Sequence, residues 1–175
     1  MLSKRDFLKY ASKLAFPIMI QNLISTLVNM ADTIMLGYVS QTAMSASSLA
    51  NQFTFVLFCL YYGLSAGTSV LCAQYFGKGD KKTVEKIIGL AERLSIIISL
   101  VFFVISFSFP ASIMGIFTSS PYTIAAGSQY LKVVSFSFIF MGFSQIFMSA
   151  LRSVGKVLLP STIYIISLCV NVVCN

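Results

Sequence analysis

Between Leu14 and Gly77 the chain carries a single charged side chain, Asp32. No soluble domain buries so long a stretch with so little charge, since soluble chains are about a quarter charged. Charged residues make up 10% of the whole chain and apolar types 57%, with a mean hydropathy of +0.88. Several apolar runs reach the roughly 18 residues that suffice for a membrane span. The fold class expected is all-α, a polytopic transmembrane helical bundle.

The positive charges are not scattered. Lys4, Arg5, Lys9 and Lys13 precede the first apolar run, Lys78, Lys81, Lys82, Lys86 and Arg93 follow the second, and Arg152 and Lys156 stand between the fourth and fifth. The intervening stretches, Val39 to Ser48 and Pro110 to Gly127, hold no charge. This is the positive-inside pattern and puts the basic clusters and the N-terminus in the cytoplasm of a bacterial cell, with the chain in the plasma (inner) membrane. The net charge of +7 is thereby accounted for by the lipid bilayer as partner. A nucleic-acid partner needs a basic stripe on a folded surface, and none is visible.

The spans expected are about residues 14–38, 47–75, 84–109, 122–151 and 158–175, with Pro110 ending the third and a serine- and proline-bearing loop before the fourth. The last run is still apolar at Asn175, so a fragment of a longer protein or a truncated reading frame is expected. The apolar run near the N-terminus contains Pro17 and Asn22 and lacks a small-x-small cleavage site, which favours a retained span over a signal peptide. Cys59, Cys72, Cys169 and Cys174 match no zinc or redox spacing and are expected as small buried hydrophobes. No catalytic constellation is present, and no enzyme is expected.

Polar groups inside spans need reasons. A carboxylate at the bilayer centre costs roughly 2.5–3.5 kcal/mol and usually faces a partner or a water cavity. At about 100° per residue, Asn22, Ser25, Thr26, Asn29, Asp32 and Thr33 share a stripe of roughly 120° on the first helix, with Gln21 nearby. Leu23, Ile24, Leu27, Met30 and Ile34 take the opposite side. The stripe is read either as interhelical hydrogen bonding or as a proton or cation site, and Asp32 favours the second. Lys132, the one basic residue outside the basic clusters, is the candidate partner, and it either pairs with Asp32 or snorkels to the outer interface.

In "SLCVNVVCN", Asn171 and Asn175 are four apart and share a helical face. Counting from Lys13 puts Asp32 about 28 Å deep, and counting from Lys156 puts Asn171 about 22 Å and Asn175 about 28 Å deep. Asp32, Asn171 and Asn175 thus form a candidate oxygen cage for Na⁺, or a protonated aspartate hydrogen-bonded by two carboxamides. Packing of the asparagines against another helix is the alternative. Phe53, Phe55, Phe58, Tyr61 and Tyr62 are candidates for lining an apolar drug cavity, against ordinary packing as the competing reading. Gly63 and Gly67 form a small-xxx-small pair.

Three segments together resemble the multidrug and toxic compound extrusion (MATE) family. "FPIMIQNLISTLVNMADTIMLG" is similar to the family's first helix, "GLSAGTSVLCAQYFGKGD" to the end of its second helix and the loop beyond, and "ALRSVGKVLLP" to the turn entering its fifth. The resemblance implies twelve helices in two six-helix lobes around a central cavity, exporting drugs or other small organic, often cationic, compounds in exchange for H⁺ or Na⁺ and using no other cofactor. This chain then corresponds to most of the N-terminal lobe, ending within helix five, with the C-terminal lobe of the same protein as its missing partner. The family's N-lobe cation site implies roles for Asp32, with Asn29 beside it on the stripe, and for Asn171 and Asn175. In some members the second helix-five position is an aspartate, so Asn175 lowers the charge of the site and leaves H⁺ or Na⁺ open. A lipid-linked saccharide flippase of the same superfamily and a non-transporting remnant are the alternatives.

Overall fold

The computed structural model describes residues 4–174, and within helices some side chains, including those of Gln21, Asp32, Thr33 and Asn171, lie outside the described set, as does Asn175 altogether. Seven helices follow one another among the described residues: α1 (Lys4–Val39), α2 (Gln41–Gly77), α3 (Lys81–Ser108), α4 (Pro110–Phe117), α5 (Pro121–Ser135), α6 (Ser137–Ser153) and α7 (Leu158–Cys174). The α2 and α3 helices are each long and apolar enough to cross a membrane, and α5 with α6, bent by 51° at their break, is long and apolar enough only as a pair, a broken span or a re-entrant loop. Shorter apolar stretches run over Ile18–Ala31 and Leu158–Val170. The chain is therefore a helical membrane bundle.

Local chemistry sets the breaks. Ser40 is extended, and its hydroxyl accepts from the Ala43 N–H at 3.4 Å to start α2. Gly79 (φ +80°) turns the chain after α2, and Asp80 then caps α3. The loop expected between the third and fourth spans, residues 110–121, is corrected. Pro110 ends α3 but opens α4 as its first residue, and Pro121 opens α5 in the same way, because proline suits the first turn of a helix. The first helix begins at Lys4, ahead of the expected Leu14, since its basic turn is helical too.

The expected fourth helix is also not continuous. It breaks at Phe136, whose N–H reaches back only to Val133 O at 3.4 Å. Serines flank the break, Ser135 donating to Lys132 O at 2.7 Å and Ser137 to Val134 O at 2.7 Å. Such back-bonding competes with the main-chain ladder and bends helices.

The chain divides into two compact units, residues 36–155 and the pair formed by residues 1–35 with 156–175. In the larger unit α2, α3 and α6 pack on one another, α5 lies against α2, and α4 against α5. Its core holds Leu57, Tyr61, Ile113, Met114, Leu131 and Phe138. Ser65, Thr68, Ser95, Ser99, Ser106 and Ser135 are buried too, while Phe55, Phe140, Ile116 and Val133 point outward. Hydroxyls inside and large apolar side chains outside is the arrangement that lipid as solvent allows. Cys72 is buried, but Cys59 and Cys169 are exposed, which corrects the expectation of burial for those two.

Candidate functional site

In the smaller unit, α1 and α7 are joined by a side-chain hydrogen bond from the Tyr164 hydroxyl to the Ser25 hydroxyl. Ser25 is half-buried, whereas Asn22, Thr26 and Asn29 of the same polar stripe are exposed, and Thr26 donates to Asn22 O at 2.9 Å. On the other side Leu23, Leu27, Met30 and Ile34 are exposed as well. The expected ligands Asp32, Asn171 and Asn175, and the stripe residues Gln21 and Thr33, fall outside the described side chains. Their positions along the helices are informative all the same. Asp32 is seven residues beyond Ser25 and Asn171 seven beyond Tyr164. A step of seven residues rises about 10 Å and returns to the same helical face within about 20°.

Tyr164 escaped the sequence reading because a tyrosine in a span has no unique use. The signal that finds it is spacing: Tyr164 and Asn171 are seven apart in α7.

In the larger unit the residues proposed to line a cavity separate. Tyr61 is wholly buried, its hydroxyl 2.6 Å from the Ser99 hydroxyl and donating to Phe138 O at 2.9 Å. Ser99 in turn donates to Ser95 O at 2.6 Å. Phe53 is half-buried, with its ring 5.2 Å from that of Phe102, and Phe55, Phe58 and Tyr62 are exposed. Gly63 and Gly67 face open space, whereas a Cβ added at Gly127 meets the Met114 side chain and one added at Gly142 lies 2.9 Å from Ser99 Oγ. Lys132 is exposed with its ammonium 6.0 Å from the Phe107 ring centroid.

Glu92, which the sequence reading passed over, is an acid on the apolar helix α3. Its Oε2 lies 3.5 Å from the Ser95 hydroxyl, and its Oε1 is buried with no partner among the described residues. Arg152 Nε on α6 is buried in the same condition. Among the described residues no cluster of acids, cysteines or histidines large enough for a metal ion is present.

Outside the membrane, Asp80 accepts from the Thr83 hydroxyl at 2.6 Å and from the Thr83 N–H at 3.1 Å. These two bonds hold its carboxyl below the ordinary carboxylate range, with a smaller contribution from Lys86.

The chain matches the MatE family over residues 17–175. It is 30% identical over 151 residues to the probable multidrug resistance protein NorM of Thermotoga maritima, covering 85% of this chain and 32% of that protein. The multidrug resistance protein PmpM of Pseudomonas aeruginosa is 28% identical over 134 residues, 77% of this chain and 28% of its own. The probable multidrug resistance protein YoeA of Bacillus subtilis is 22% identical over 164 residues, 94% of this chain and 35% of its own. The chain thus spans about a third of the length of these relatives. With the family match covering nearly its whole length and the helical bundle in agreement, the chain belongs to the MatE family.

Proposed function

We propose that this chain is part of an exporter of drugs or other organic compounds, driven by entry of H⁺ or Na⁺ across the plasma membrane with Asp32 as the ion-coupling group. The relatives' names speak of multidrug resistance, which favours small organic substrates over lipid-linked saccharides. The carrying observation is the hydrogen bond between Tyr164 and Ser25, from which Asp32 and Asn171 follow at equal steps. A carboxylate at that depth is neutralised by a proton or by a sodium ion, for which Asn171, Asn175 and Asn29 offer carboxamide oxygens. Loading the site changes the charge between α1 and α7 and so biases two arrangements of the helices, one of which releases substrate outward. The N-terminus and the basic turns face the cytoplasm in this reading.

The test is gradient-driven efflux of a fluorescent organic cation by the natural chain that carries this sequence. Asp32→Asn abolishes efflux driven by a pH or sodium jump while membrane insertion is retained. Undiminished efflux in that variant overturns the proposal.

A further inference from the structure

The α3 helix has two opposite faces. Val84, Ala91, Ser95, Ser99 and Ser106 are buried against the bundle. On the other side Lys82, Lys86 and Arg93 are exposed, as are Leu90, between Lys86 and Arg93, and Ile97 and Val101 beyond, at 60%, 57% and 50%. At 100° per residue these six residues fall within an arc of about 100°. The arc is mainly basic up to Arg93, with Leu90 among the cations, and apolar beyond it. From Lys86 to Val101 the helix rises about 22 Å, which is half of a total bilayer thickness of about 40–45 Å. Arg93 sits two turns deeper than Lys86, within reach of the headgroup layer by extending its stem.

The nearby acids offset only part of this charge. Asp80 stays anionic and offsets part of the Lys86 charge, but it is one acid against three cations, and Glu85 projects about 60° away from Lys82, off the arc. Lys78 and Lys81 in the turn add to the positive field.

We infer that this face of α3 is a binding surface for an anionic phospholipid of the leaflet on the side of the α2–α3 turn, its phosphate held by Lys82, Lys86 and Arg93 and an acyl chain laid along Leu90, Ile97 and Val101. A zwitterionic lipid matches the apolar half equally but leaves three cations facing an ammonium-bearing headgroup, so the surface selects for net negative charge. The inference is independent of the export reading, since it requires neither Asp32 nor an ion gradient.

The test uses the natural chain in nanodiscs of equal phosphatidylglycerol and phosphatidylcholine, with the lipids retained after ejection counted by native mass spectrometry. Phosphatidylglycerol is expected to be retained in preference, and the preference to fall about tenfold or more in K82Q/K86Q/R93Q. The variant K82R/K86R keeps it. A charge-matched variant off the arc, K78Q/K81Q/K132Q, keeps most of it. All the substituted side chains are exposed, so circular dichroism is expected to report the parent's helicity in each variant. No preference in the parent, or an equal loss in the charge-matched variant, overturns the inference. So does retention of phosphatidylglycerol by K82Q/K86Q/R93Q, as when another part of the natural chain covers this face.

Discussion

The hydroxyl of Tyr164 on α7 donates to the hydroxyl of Ser25 on α1, joining two helices that are far apart in sequence. Asp32 and Asn171 both lie seven positions further on, and in the proposed export reading this bond holds the register of the ion site. Tyr164→Phe and Ser25→Ala each remove it while keeping nearly the same volume. Interhelical hydrogen bonds in membranes average about 0.6 kcal/mol, with a maximum near 1.7. A double-mutant cycle read by unfolding in detergent is expected to give a coupling in that range. Either single variant is expected to lower ion-driven efflux severalfold, with the double variant no worse than the more severe single one.

Tyr61→Phe is expected to destabilise the larger unit by about 1–3 kcal/mol, the cost of leaving a buried polar group short of a partner. The variant takes one donor from Phe138 O and one partner from Ser99. Ser99→Ala is milder, because Tyr61 still donates to the Phe138 carbonyl after the Ser99 hydroxyl, 3.4 Å from that oxygen, is gone. The order of the two unfolding midpoints checks this, and equal midpoints contradict it.

What the sequence made legible were the features lipid imposes on composition: the helical class and the positions of α2 and α3. The parts it concealed were set by geometry that composition does not mark. Pro110 reads as a stop, and only the backbone shows that it also begins α4. The break at Phe136 has no proline or glycine, because the back-bonding of Ser135 and Ser137 produces it, and serines are ordinary residues in a span. Tyr61, grouped by type with Phe53, Phe58 and Tyr62, is set apart by where its hydroxyl ends. An aromatic side chain has no label in the sequence for core, cavity or lipid. For Asp32, Asn171 and Asn175, spacing alone carries the assignment, and in the proposed export reading the Ser25–Tyr164 pair adds the register.

The start of α3 is expected to loosen in acid. Asp80 binds Thr83 twice as an anion, which lowers its pKa below the unfolded value of about 3.9. A depressed carboxyl contributes stability that is present above the unfolded pKa and is lost as pH falls through the folded one. Amide exchange at Thr83 is therefore expected to be slow and flat with respect to this group down to about pH 4, and to accelerate below it. Asp80→Ala removes that acid dependence and gives fast exchange throughout, whereas Asp80→Asn, a capping residue without the charge, keeps the protection and loses the dependence.

Gly142 and Gly63 both sit inside helices, yet replacing each by alanine is expected to have opposite effects. Alanine favours a helix over glycine by about 0.8–1.0 kcal/mol where nothing obstructs the methyl group. At Gly63 nothing lies within 4 Å of the added carbon, so Gly63→Ala is expected to be neutral or slightly stabilising. At Gly142 the methyl meets Ser99 Oγ at 2.9 Å and the Tyr61 ring at 3.0 Å. Neither neighbour moves freely, since the Ser99 and Tyr61 hydroxyls are bonded to each other and to the main chain at Ser95 and Phe138. Relief of the clash requires α6 to shift from α2 and α3, and overpacking of this kind costs about 1–3 kcal/mol. Ser99→Ala in the Gly142→Ala background removes one of the two obstructing atoms and is expected to recover part of the loss. Thermal unfolding of the parent, both single glycine variants and that double variant measures the difference, and a Gly142→Ala midpoint equal to that of Gly63→Ala contradicts the close approach of α6 to α2 and α3.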